Sequence, residues 1–333
     1  MLIKFFRSSY LLHYFTLFAL ALILWSGAII HPVDVVASPD VYPFYSIIYF
    51  WFGENKLLFS LMGFILLFFE AILINSIITE NDIIPKNSLL PGFIYVVLMS
   101  FSPELLTLHP VLITNLFLII IISFVFKMFG KNEPYRFTYK LGFYVGLATL
   151  FYLPVYVFLI YIFVVLFLLR LLNWREFIIP IVGFLTLYIF LTVWYYFFDQ
   201  LDLAWYDYLN FFQNTSLIVL ELDFLAIIIL SIFAVLFMLS IIYLVGRKYY
   251  EKNISIRIKL KLTFFFLLFS IIPIIFYAES PIKSLVILAI PLSVFVSFYL
   301  SELKKICILN FLLIFLLILI IINNFHLLDL INL

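Results

Sequence analysis

The stretch from 218 to 278 reads IVLELDFLAIIILSIFAVLFMLSIIYLV (218–245), GRKYYEKNISIRIKLK (246–261) and LTFFFLLFSIIPIIFYA (262–278). Two apolar runs flank a strip that carries six Lys and Arg against one Glu. Each run has the length of a helix crossing a hydrocarbon core of about 30 Å, for which roughly 17 to 25 residues suffice. The strip between them is a basic loop of the kind retained on the cytoplasmic side, because positive charge resists translocation. Its basic side chains would also meet anionic lipid headgroups.

The same alternation continues in both directions. Apolar segments fall at about 10–30, 57–78, 89–101, 110–128, 139–153, 154–170, 177–198, 284–300 and 306–325, besides the two just quoted. That predicts an all-α, polytopic transmembrane helical bundle of about 11 helices in one domain, 1–333. Its amino terminus would be cytoplasmic and its carboxyl terminus extracytoplasmic. Under this threading all but two of the 19 Lys and Arg fall on one side, the exceptions being Lys56 and Lys283. Asp34, Asp40, Glu54, Glu104, Asp199, Asp202 and Asp207 gather on the other. The parity requires a hairpin at Tyr152-Leu153-Pro154; a single crossing over 139–170 would put Arg170 and Arg175 opposite Arg136 and Lys140. With 67% hydrophobic and 11% charged residues the chain has too little polar surface for a soluble globule of 333 residues. The first apolar run is too long for a typical signal peptide and reads as an uncleaved helix.

Several chemistries are excluded. There is no Gly-rich phosphate loop, nucleophile elbow, HExxH or CxxC. The single Cys307 permits no internal disulfide. His13, His31, His109 and His326 are too scattered to specify a metal, and the basic strip is too short to suggest nucleic acid. What remains is acid on the outer face. The outer loop 31–56 opens HPVDVVASPDVYPFY, and Asp34 and Asp40, with His31 nearby, are candidate general bases at a membrane boundary. A divalent cation beside them would hold a phosphate leaving group through oxygen ligands; the alternative is that both acids are solvated loop residues. The apolar, aromatic stretch 47–52 is too short to span and suits a helix lying in the interface. Segment 199–217, opening DQLDLAWYDYLNFFQNT, suits an amphipathic surface helix.

The loop 102–109, SPELLTLH, carries Glu104 and His109 between two short spans. These would join Asp34 in one outward cavity or serve as helix cap and interface residue. Glu70 lies mid-span in LLFFEAILIN with Asn75 beyond it. An intramembrane carboxyl faces protein or water, so it is either a functional group or a hydrogen-bonded interhelical one. Asn115 and Thr149 read as interhelical hydrogen-bond formers.

This order of features resembles the membrane glycosyltransferases of the C superfamily over residues 1–200, with 201–333 as additional helices. The shared features are the long outer loop 31–56 behind helix one, the acids within it, the interfacial stretch 44–52 and the segment LLPGFIYVVLMSFSPELLTLHPVLITNLFLIIIISFVFKMF (89–129). The whole chain, with NWRE at 173–176, is also similar to an uncharacterised family of bacterial polytopic proteins. The superfamily resemblance implies an inner-membrane enzyme that moves a sugar from a polyprenyl-phosphate donor to an outer acceptor. Asp34 or Asp40 would then act as base, Glu104 and His109 would position donor or metal, and Lys56 or Lys283 would touch phosphate. The scarcity of outer cations motivates an alternative, a non-catalytic subunit that anchors an envelope complex with a small membrane-protein partner. A flippase or transporter resting on Glu70 and Asn75 ranks third.

Overall fold

A computed structural model describes residues 2–8, 10–32, 42–130, 134–213, 224–244, 251–276, 281–303 and 307–325. Within them the elements are helical: α1 (Leu2–Phe6), α2 (Leu11–Ile30), α3 (Pro43–Phe52), α4 (Lys56–Glu80), α5 (Leu90–Met99), α6 (Pro110–Met128), α7 (Tyr135–Phe151), α8 (Phe158–Leu168), α9 (Trp174–Phe197), α10 (Leu201–Gln213), α11 (Phe224–Tyr243), α12 (Ile254–Phe276), α13 (Pro281–Leu285), α14 (Ala289–Glu302) and α15 (Cys307–Asn324). Short 3₁₀ turns occupy Pro103–Leu105, Leu153–Val157 and Val286–Leu288. Each apolar segment of the sequence has its helix. Eight of the described segments are long and apolar enough to cross a membrane.

Both short segments outside the spans are helical. The stretch 47–52 lies in α3, with Tyr45 buried and Phe50 and Trp51 exposed. Segment 199–217 contains α10, which has no fully buried residue.

The hairpin at Tyr152 also has structural support. The chain leaves α7 in an extended conformation at Tyr152 and enters a 3₁₀ turn. Helices α7 and α9 then run parallel, since Gly142 meets Pro180, Gly146 meets Phe184 and Leu187, and the Tyr188 hydroxyl donates to Thr149 Oγ1 at 3.0 Å. Parallel neighbours joined through α8 require a reversal between them. The close approach depends on glycine: a Cβ at Gly142 would collide with the Pro180 carbonyl, and one at Gly183 with the Tyr139 carbonyl. Small residues four apart, Gly142 and Gly146, permit this backbone contact where no hydrophobic force draws helices together.

At the basic end of the bundle, Arg7 closes the last turn of α14. Its guanidinium donates to the Leu300 carbonyl and, at 2.5 Å, to that of Leu303, satisfying helix-end acceptors. Leu89 donates to the Phe6 carbonyl at 2.8 Å, and Lys252 pairs with Glu302 at 2.7 Å, near the same end.

Candidate functional site

The site begins with a helix that stops short. Ten residues give α5 a length of about 15 Å, half of a hydrocarbon core, and all ten are buried. After Met99 the chain runs irregularly to Pro110, and residues 100–109 are buried with the exception of Glu104. The Leu108 amide donates to the Phe59 carbonyl at 3.3 Å, and a Cβ on Gly63 would lie 2.8 Å from the Leu108 nitrogen. Phe59 and Gly63 lie about 5 and 10 Å along α4 from its start, so the loop sits below the helix ends. Irregular backbone at such depth is tolerated only where protein or a wet cavity satisfies it.

Side chains from three helices, α2, α3 and α15, do so here. Trp25 Nε1 donates to Ser100 Oγ at 3.2 Å, and that hydroxyl donates to the Val96 carbonyl at 2.8 Å. Asn323 donates to the Phe101 carbonyl at 3.0 Å, and Asn324 donates to those of Ser100 and Leu24 at 3.0 and 3.1 Å. The Tyr45 hydroxyl of α3 donates to the Leu108 carbonyl at 3.1 Å.

His109 ends the loop and caps α6. Its Nδ1 accepts the Leu112 amide at 3.1 Å, so in the neutral ring the hydrogen is carried by Nε2. Burial, and then the nearby Lys283 ammonium, hold the His109 pKa well below its usual value, which keeps the ring neutral at physiological pH. Nε2 is buried and has no hydrogen-bond partner among the described residues. Glu104 in turn acts electrostatically on Lys283, and α13 packs against the Pro103–Leu105 turn. Three residues singled out in the sequence, Glu104, His109 and Lys283, therefore lie near one another. His31 and Lys56 stand exposed at the ends of α2 and α4. Asp34 and Asp40 lie outside the described residues.

Beneath the loop lies a second polar group. Glu70 is fully buried and accepts the Tyr95 hydroxyl at 2.8 Å. Asn115 donates from Nδ2 to Tyr95 Oη at 3.5 Å and to the Val286 carbonyl at 3.2 Å. Asn75, also buried, stands beside Gly92 of α5. Asn115 and Thr149 do join helices, as expected. Tyr95 was not legible as a site residue, because its pairing with Glu70 spans two helices and leaves no local pattern. No group of three or more His, Cys, Asp or Glu suited to a metal occurs among the described residues.

These features define a multi-pass helical membrane protein with a protein-lined polar core. The chain belongs to the family of unknown function DUF6427, whose family model matches residues 41–331. Comparison with curated proteins and with solved structures finds no match.

Proposed function

We propose that this protein holds a polyprenyl-phosphate-linked sugar on the extracytoplasmic face of a bacterial inner membrane and transfers the sugar to an acceptor there. The threading that goes with this reading has about 11 crossings, with a cytoplasmic amino terminus and an extracytoplasmic carboxyl terminus. The supporting observation is the proximity of Lys283 to the Nε2–H of His109, which has no partner among the described residues, at the start of α6. A cation, a neutral donor and a helix N-terminus together suit a phosphate oxygen.

In the reaction, Asp34 or Asp40 would take the proton of an acceptor hydroxyl. The resulting oxygen attacks the anomeric carbon as its bond to the phosphate oxygen breaks. The polyprenyl phosphate leaves with the bonding electrons, and Lys283 and His109 stabilise its charge. Glu104, which is exposed, would order the sugar or a divalent cation.

Mass spectrometry of the polyprenyl lipids in a deletion strain tests this directly. Accumulation of one polyprenyl-phospho-sugar relative to the parent is expected. An unchanged pool would overturn transfer and leave the non-catalytic envelope subunit as the reading to pursue.

A further inference from the structure

Within the bundle, Glu70 and Asn115 both bond the phenol of Tyr95, Glu70 as acceptor and Asn115 as donor. Each keeps one oxygen bare: Glu70 Oε1 and Asn115 Oδ1 are buried without a partner among the described residues. The orientation of the Asn115 amide is fixed, because exchanging its oxygen and nitrogen would set an oxygen against the Val286 carbonyl, 3.2 Å from Nδ2. Along α4, Asn75 leaves a third bare oxygen, Oδ1, on the side of Gly92 and α5. Three buried acceptors with no hydrogen to receive are costly in a medium without water.

We infer that Glu70 and Asn115 form an intramembrane binding site for a single Na⁺ ion. The bare oxygens are hard ligands of the kind such a cation takes. Tyr95 already donates its hydrogen to Glu70, which suits an ionised carboxylate as acceptor. Among the described residues no Lys, Arg or His pairs with that carboxylate. One monovalent ion restores neutrality, whereas a divalent ion would leave a net positive charge among apolar helices. The Asn115–Val286 bond ties this site to the segment that follows Lys283, so an ion bound at Glu70 braces the outer cluster from below. The inference is independent of sugar transfer, because it draws on neither the outer acids nor the phosphate contacts.

The test uses the full-length protein in detergent, with NaCl against equimolar choline chloride and a hydrophobic carbodiimide that esterifies protonated carboxyls. Na⁺ is expected to slow labelling of Glu70 by roughly tenfold at about ten times its dissociation constant. It is also expected to raise the unfolding midpoint by roughly 2 to 4 °C. Glu70→Gln should abolish the label and the Na⁺-dependent rise. Asn115→Ala should keep the label and lose the protection by Na⁺, which a variant that is merely loosened would not do selectively. Equal labelling in NaCl and choline chloride would overturn the site and leave a proton on Glu70. A midpoint indifferent to Na⁺, or a rise that survives in Glu70→Gln, would overturn it as well.

Discussion

Helices α5 and α9 are both apolar, yet they occupy opposite environments. Every residue of α5 is buried, while of the 24 residues of α9 only Glu176, Pro180, Gly183 and Leu191 are. Phe93 is fully enclosed in α5, whereas Phe190 on α9 is 70% exposed. Hydropathy cannot separate these cases, since lipid tails and protein side chains are equally apolar. Length and backbone separate them. A helix of ten residues cannot satisfy a membrane alone and continues into an irregular loop that only protein can enclose. A helix of 24 residues satisfies its own backbone and can stand against lipid.

Phe→Ala changes test this contrast most strongly. Phe93→Ala should destabilise the protein by about 3 to 5 kcal/mol, because it leaves a cavity in packed protein. Phe190→Ala should change the unfolding midpoint in detergent by less than about 0.5 kcal/mol equivalent. Equal effects would mean that α9 is as enclosed as α5.

The one place where α9 behaves like α5 is its contact with α7. Gly142→Ala should cost about 1 to 3 kcal/mol, since the new methyl meets the backbone carbonyl of Pro180 and not a side chain that can swing away. Ala at Gly130, where open space surrounds the missing Cβ, serves as the contrast; its positive φ of 78° makes the substitution strained but not crowded. Thermal unfolding of the two variants distinguishes crowding from strain.

The extent of several helices was legible because an apolar run bounded by charge is a local signal, but α12 begins at Ile254, inside the basic strip that reads as a loop. Segment 110–128 coincides with α6, and 57–78 falls inside α4. Gly142 and Gly146 also carried a signal, their spacing of four, that marks a close helix contact. The depth of 100–109 was not legible. SPELLTLH reads as an ordinary outer loop, and its enclosure depends on Trp25, Tyr45, Asn323 and Asn324 from distant parts of the chain. The partners of Glu104 and His109 were legible as residue types; that Lys283 joins them across more than 170 residues of sequence was set by packing alone.

The enclosed loop should also impose a pH dependence that the lipid-facing helices lack. Burial lowers the folded-state pKa of His109, so at low pH the unfolded chain takes up a proton that the folded protein resists. Stability is therefore unaffected by His109 above its ordinary value of 6.5 and declines as pH falls below it. The slope should be about 1.4 kcal/mol per pH unit until the depressed folded pKa is reached. His109→Asn retains a side-chain oxygen to cap α6 and removes the titrating ring. Unfolding midpoints between neutral and mildly acidic pH should fall less steeply in this variant than in the parent. Parallel slopes would mean that His109 is accessible to protons in the folded state.

Tyr45→Phe bears on how the loop is held. The phenol is buried and donates to the Leu108 carbonyl at 3.1 Å, one residue before His109. Burial raises its pKa, so it remains a donor across the physiological range. Replacing it with Phe preserves the ring contacts with Phe59 and removes one hydrogen bond. The expected cost is about 1 kcal/mol, rising toward 3 if the Leu108 carbonyl is left dry. A cost at the upper end would mean that α3 seals the loop against water. A cost near zero would mean that water reaches Leu108, and the outer cluster would then open directly to the membrane surface where a lipid phosphate sits.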